Sequence, residues 1–140
     1  MCQVTLSTFI SAPADDVWET LKDFKDPGKY IDVVTDCTID GTGVGAVRTV
    51  KLQGDAYAIE RMVHLDEANR TISYNMFDTS LPLSGYIGIM HVRDLGDNAC
   101  KLEWSSVFEP KGTTDDDAVA FIENIYAGGF QGLKKRHERP

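Results

Sequence analysis

Polar and apolar residues alternate over the first ten positions, with Val4, Leu6, Thr8 and Ile10 on one face, which predicts a strand buried on one side. Ala12-Pro13-Ala14-Asp15-Asp16 then reads as a helix start, since Pro is tolerated early and acids favour the helix N-terminus. Val17, Trp18, Leu21 and Phe24 follow at helical spacing until Pro27-Gly28 ends the element, and Tyr30 to Val34 is apolar enough for a second short helix. From Thr35 to Pro110 the period is two. Turn chemistry at Asp40-Gly41-Thr42-Gly43 with Gly45, at Gln53-Gly54-Asp55, at Asp66-Glu67-Ala68-Asn69, at Thr79 to Gly85 and at Leu95-Gly96-Asp97-Asn98 divides it into about six strands. Strands in succession without intervening helices predict an antiparallel meander. After Pro110, Thr113 or Thr114 can cap a long last helix whose first turn carries Asp115, Asp116 and Asp117 and whose apolar stripe is Ala118, Phe121, Ile122, Ile125, Gly129 and Leu133.

The predicted class is therefore α+β: about seven antiparallel strands, one or two short helices after the first, and a long C-terminal helix. A lone sheet must cover its apolar face. A strongly curved sheet wrapped around that helix does so and can leave a hollow between them. With 140 residues and 42% hydrophobic content, one domain spanning 1–140 is expected.

Charge narrows the function classes. Fourteen Lys and Arg against 22 Asp and Glu leave −8, so the chain has no basic footprint for nucleic acid or anionic membrane. No apolar run has the length of a membrane span, and MCQVTLSTFISAPADD alternates instead of forming a leader. Cys2, Cys37 and Cys100 are odd in number and lack metal-type spacing, which fits reduced thiols and a cytoplasmic setting. No phosphate loop, metal cluster or Ser-His-Asp arrangement is identifiable, so no metal and no cofactor is indicated. The basic end, Lys134 to Arg139, complements a helix C-terminus.

Several stretches carry a resemblance. ISAPADDVWETLKDF (Ile10 to Phe24), GVGAVRTVKL (Gly43 to Leu52), ERMVHLDEANRTISYNM (Glu60 to Met76) with LPLSGY (Leu81 to Tyr86), and LEWSSVFEPKG (Leu102 to Gly112) occur in the order and spacing of the START-like superfamily, also called SRPBCC or helix-grip. The chain resembles its polyketide cyclase/dehydrase and lipid-transport group over nearly its whole length, small bacterial members above all. The resemblance implies a helix-grip fold with an internal cavity for a hydrophobic ligand. Departures matter too. Where the related abscisic-acid receptors carry a Gly-Leu-Pro-Ala gate, this chain has Leu52-Gln53-Gly54-Asp55-Ala56. Their His-Arg-Leu latch corresponds to Leu81-Pro82-Leu83, and their pocket lysine to Thr35. Hormone reception of that kind is not expected; the cavity is.

Period-two bookkeeping gives the expected lining. Arg48, Val50 and Leu52 share a face of one strand. On the next, Ala58, Glu60, Met62 and His64 oppose the more apolar Tyr57, Ile59, Arg61 and Val63. Apolarity favours the second set, whereas the resemblance places Ala58 and Glu60 in the pocket and is followed here. Ile72, Tyr74 and Met76, then Tyr86, Gly88 and Met90, continue the wall. On the last strand Leu102, Trp104 and Phe108 are the more apolar, but the resemblance points to Glu103 with Ser105 beside it, and Trp104 stays undecided. Phe121, Ile125 and Gly129 face inward from the helix by the same likeness, and the costly Gly128-Gly129 pair implies close sheet contact, a kink or room for a ligand. Leu83, within the apolar Leu81-Pro82-Leu83 loop, sits at the expected mouth.

The functional expectation is binding or transport of a small aromatic, polyketide-like or lipidic molecule, with Glu60 and Glu103 as polar anchors. The alternative is a cofactor-independent cyclase, dehydratase or isomerase in which Glu60, Glu103, or His64 with a tyrosine, moves a proton beside a carbonyl. A protein partner has no support beyond the Leu81 to Leu83 loop.

Overall fold

The computed structural model describes residues 1–139. Strand β1 (Cys2–Ile10) is followed by helix α1 (Ala14–Lys22), a 3-10 turn (Pro27–Lys29), and strands β2 (Val34–Asp40), β3 (Val47–Leu52), β4 (Ala56–Asp66), β5 (Thr71–Thr79), β6 (Leu83–Gly96) and β7 (Ala99–Pro110). Helix α2 (Asp115–His137) ends the order. The expected meander is present: one seven-stranded sheet in the order β1-β7-β6-β5-β4-β3-β2, with every pairing antiparallel. The single long-range pairing sets β1 against β7, Leu6 opposite Trp104.

Local chemistry explains the elements. Pro13 precedes α1 in extended conformation, Asp15 and Asp16 lie in its first turn, and Val17, Trp18 and Leu21 are buried. Phe24 is buried beyond the helix end, and of the Tyr30 to Val34 stretch no part is helical: the 3-10 turn lies just before it. Thr114 is the cap of α2, its Oγ1 accepting from the Asp117 backbone N–H at 3.1 Å. The buried stripe of α2 is Ala118, Ile122, Tyr126, Gly129, Phe130 and Leu133. Tyr126 and Phe130, absent from the expected stripe, thus replace Phe121 and Ile125, which are only half-buried.

Two glycines fix how closely α2 approaches. A Cβ on Gly132 would lie 2.0 Å from the Tyr30 carbonyl oxygen, and one on Gly129 would lie 2.8 Å from Trp104 Cζ3. Of the three reasons expected for the Gly128-Gly129 pair, close contact is the one found at Gly129, whereas a Cβ at Gly128 would meet nothing within 4 Å. Irregularities in the strands decide which side chains turn inward. At Gly85 (φ 63°) β6 carries one extra residue against β7, so Leu83 and Tyr86, three apart, are both buried. In β4 the register slips between Met62 and His64, which ends the inward phase at Met62.

Candidate functional site

A cavity of about 60 Å³ lies between the sheet and α2. Strand periodicity brings its floor and walls together. Arg48 and Val50 come from β3, Ala58 and Glu60 from β4, Tyr74 and Met76 from β5, Tyr86 from β6, Trp104 from β7, and Ile122 and Tyr126 from α2; all are buried. Pro27 and Tyr30 add two more buried groups, and the rest of the apolar lining, Ile31, Val34, Leu52, Leu81 and Ile125, is only half-buried and drawn from four separate segments. Those five side chains form the mouth.

Two polar systems occupy this apolar hollow. The first is an ion pair. Arg48 and Glu60 stand directly opposite across β3 and β4, and the Arg48 Nε–H donates to Glu60 Oε1 at 2.7 Å while Nη2 lies 2.7 Å from the same oxygen. Arg48 Nη1 donates to the Phe24 carbonyl at 3.1 Å, and the guanidinium sits 4.0 Å from the Phe24 ring centroid and 5.5 Å from that of Tyr74. Burial would lower the Arg48 pKa; the adjacent carboxylate more than offsets it, so the value lies above that of a free arginine. Both groups are nearly inaccessible, at 5% and 6% exposure, so the pair costs desolvation that ordinary core residues do not.

The second is a chain of hydroxyls. Trp104 Nε1–H donates to Tyr74 Oη at 3.0 Å, Tyr74 and Tyr86 share a hydrogen bond of 2.9 Å, and Tyr86 and Tyr126 one of 2.5 Å. Trp104 also stacks on Tyr126, centroids 4.1 Å apart and planes 16° from parallel. Burial raises all three phenols: Tyr126 to about 12, Tyr74 and Tyr86 well above 10. They are hydrogen-bond donors throughout the neutral range, not bases. Ser106 Oγ, buried on the inner face of β7 near the Tyr126 hydroxyl, makes no hydrogen bond of regular geometry among the described residues.

Of the expected site residues, Arg48, Val50, Leu52, Ala58, Glu60, Tyr74, Met76, Tyr86 and Ile125 all line the cavity. On β4, then, the inward set is the one the resemblance indicated and apolarity disfavoured. The others need correction. Glu103 is exposed on the outer face, because β7 runs without a bulge at that point and Trp104 takes the inward position. Ser105 shares the outer face, half-buried. His64 is exposed because of the β4 register slip. Leu83 is buried but outside the lining, and Leu81 takes its place at the mouth. Phe121 lies beside the stripe that Ile122 and Tyr126 occupy. Gly88 and Gly129 make room for aromatic rings instead of a guest: a Cβ on Gly88 would lie 2.8 Å from Tyr74 Cζ and 2.9 Å from Tyr86 Cε1.

Tyr126, Trp104, Ile122, Tyr30 and Ile31 belong to the site and were not among the expected lining residues. Tyr126 carries a signal in the sequence, as it sits one turn from Ile122 and from Phe130. Tyr30 and Ile31 carry none, because an irregular segment has no period.

Comparison with known proteins follows this geometry. A family model described as polyketide cyclase / dehydrase and lipid transport matches residues 1–138. Among curated relatives, the abscisic acid receptor PYL7 of Arabidopsis thaliana is 27% identical over 146 residues, covering 99% of this chain and 69% of its own. The abscisic acid receptor PYL2 of the same plant is 29% identical over 143 residues, covering 94% and 75%. Among solved structures, the protein XoxI of Bacillus cereus superposes with a TM-score of 0.90 at 22% identity, over 98% of this chain and 96% of the other, a likeness of fold alone. A Thermobifida fusca protein superposes at 0.85 with 26% identity, over 97% and 93%.

Proposed function

The chain belongs to the polyketide cyclase/dehydrase and lipid-transport family, and we propose that it binds or carries one small, largely apolar molecule in the cavity between the sheet and α2. The observation that carries this reading is a hollow reached through a half-exposed apolar mouth, with its polar groups held at the bottom. A core built only for stability would fill that space and omit the ion pair. Relatives named as abscisic acid receptors support a bound small molecule. The changed gate and latch stretches argue against the same hormone response here.

The present volume admits water-sized guests, each taking about 30 Å³ in the liquid. Aromatic or polyketide-like guests need roughly 300 Å³ or more. Loading therefore requires the mouth to yield, and the irregular segment carrying Ile31, which leads into Val34 at the start of the edge strand β2, is with the Leu81 loop the part not held by regular ladder bonds on both sides. Carriage is favoured over turnover because two of the three acid/base candidates, Glu103 and His64, face solvent. Three free cysteines fit a cytoplasmic setting. Among the described residues no helix is long and apolar enough to cross a membrane.

Mass spectrometry of the purified protein under non-denaturing conditions, with thermal shifts against a panel of naphthalenes and medium-chain alcohols, tests the reading. A retained apolar adduct, or a shift abolished by Ala58→Trp (which fills the hollow from the β4 wall), is the expected result. Absence of any adduct and of any shift would sink it. Glu60→Gln separates carriage from catalysis, since a carrier loses affinity for the hydroxyl-bearing members of the panel whereas an enzyme loses turnover while still binding.

A further inference from the structure

The polar groups of the cavity specify the guest more narrowly than its walls do. Tryptophan can only donate. Trp104, Tyr74, Tyr86 and Tyr126 together hold four donor hydrogens, and three hydrogen bonds link them in a line. Whichever way the hydroxyls turn, one hydrogen is left unspent. It falls at Tyr126 if the line runs outward from the indole, at Tyr74 if it runs back, or at Tyr86 if both neighbours donate to it, and all three residues line the cavity. The opposite wall offers the complement. Both contacts from Arg48 go to Glu60 Oε1, and among the described residues no protein group donates to Oε2. The Glu60 side chain is more than nine-tenths buried and lines the hollow. The cavity thus presents the unspent hydrogen of the line and the free Glu60 oxygen, together with the Tyr30 hydroxyl, which lines the same hollow beside Arg48. Its formal charge is zero, because the only cation in the lining, Arg48, is already paired.

Building on the reading of the site as a ligand cavity, we propose that its guest is a neutral, apolar molecule bearing a hydroxyl, of the phenol or hydroxyketone class, and that carboxylates are excluded. The guest's oxygen accepts the unspent hydrogen of the tyrosine line, and its own hydroxyl donates to Glu60 Oε2. An acid would bring an anion against Oε2 with no free cation to compensate, and would lose its hydration on entering. Charge exclusion by pairing distinguishes this pocket from one in which a free lysine or arginine waits for an acid.

Isothermal titration with toluene, phenol and benzoate, and with 1-methylnaphthalene, 1-naphthol and 1-naphthoate as a larger set, tests this on the intact chain. Trp104 emission reports occupancy, since its indole is part of the line. The expected order is hydroxyl compound at least tenfold tighter than hydrocarbon, with the carboxylate weakest. Glu60→Gln leaves Arg48 uncompensated and should reverse the order, raising carboxylate affinity at least tenfold while hydrocarbon affinity stays within about threefold. A neutral pocket that merely dislikes anions would show no such reversal. In the wild type, a carboxylate as tight as the hydroxyl compound, or a hydrocarbon as tight, overturns the proposal while leaving the cavity reading intact. No binding by any of the six overturns both. If Glu60→Gln fails to fold, the wild-type order decides alone.

Discussion

Substituting the three glycines of α2 one at a time measures how closely the helix is gripped. Each Gly→Ala change gains about 1 kcal/mol from helix propensity. At Gly128 nothing would lie within 4 Å of the new Cβ, so the gain stands and the melting temperature should rise by about 4 °C. At Gly132 the same methyl would lie 2.0 Å from the Tyr30 carbonyl oxygen and 2.7 Å from its carbon, both backbone atoms, against the 3.4 Å of ordinary contact. The helix must move by more than 1 Å or the 27–31 segment must. Overpacking of this kind costs about 1–3 kcal/mol and more where backbone is involved. The net effect is a loss of roughly 2 kcal/mol, and the two variants should melt about 10 °C apart. Gly129→Ala should fall between them, because the atom it meets, Trp104 Cζ3 at 2.8 Å, belongs to a ring and not to backbone. Urea denaturation with unchanged m-values gives the free energies directly. If Gly132→Ala is as stable as Gly128→Ala, α2 does not rest on Tyr30 and the mouth has been placed wrongly.

Other expectations follow from the same geometry. Thr114→Ala removes the Oγ1 acceptor from the start of α2 and should cost about 1 kcal/mol by denaturation, with Thr114→Asn recovering most of it. His137 bonds to Thr20 Oγ1 at 2.9 Å, and burial, with Arg136 beside it, lowers its pKa below 6.5. The unfolded chain then binds the proton first, so stability present above about pH 6.5 declines as the pH falls below that value. His137→Gln should flatten this step while leaving the carboxylate-driven loss at lower pH. Tyr74, Tyr86 and Tyr126 are all raised, Tyr126 to about 12. Absorbance at the tyrosinate band should therefore stay low at pH 10, where free phenols are about half ionised, and stability should fall as the pH climbs from 10 toward 12. Early ionisation would show that the hydroxyl line is solvated.

The meander from β2 to β7, the turns and the long capped helix were legible in the sequence because each rests on a local rule, whereas the pairing of β1 with β7 joins the two ends of the chain and no local rule gives it. The site was legible only where such rules extended. On β4 the polarity of Glu60 argued for an outward face, and the resemblance correctly placed it inward; the cross-strand partner Arg48 is what makes that burial tolerable. On β7 the cues reversed. There the apolar set Leu102, Trp104 and Phe108 is the buried one, and the inward position that the resemblance put at Glu103 lies one residue on, at Trp104. His64 fails for a third reason, a register slip that strict alternation cannot foresee. The buried lining residue Tyr30 and the mouth residue Ile31 lie in an irregular stretch whose position depends on Gly132, about a hundred residues away in sequence.

Why the chain retains a buried ion pair at all is the question on which the functional reading turns, and a double substitution answers it. Replacing a buried pair by apolar residues of similar size is commonly neutral or stabilising by about 1–4 kcal/mol, whereas removing one partner costs about 3–5 kcal/mol. Arg48→Met with Glu60→Leu also orphans the Phe24 carbonyl that Nη1 now serves, which costs about 1–3 kcal/mol. These terms nearly cancel, so the double variant should unfold within about 2 kcal/mol of the parent, and Glu60→Leu alone should lose about 3–5 kcal/mol. Chemical denaturation of the four proteins in the cycle gives the coupling. A fold that does not need the pair, yet keeps it facing an open hollow, keeps it for what enters that hollow. The double variant should then still bind naphthalenes while no longer preferring 1-naphthol over 1-methylnaphthalene by the margin that Oε2 supplies. Were the double variant as unstable as the single, the pair would be a structural necessity of the β3–β4 contact, and its bearing on guest selection would have to rest on the tyrosine line alone.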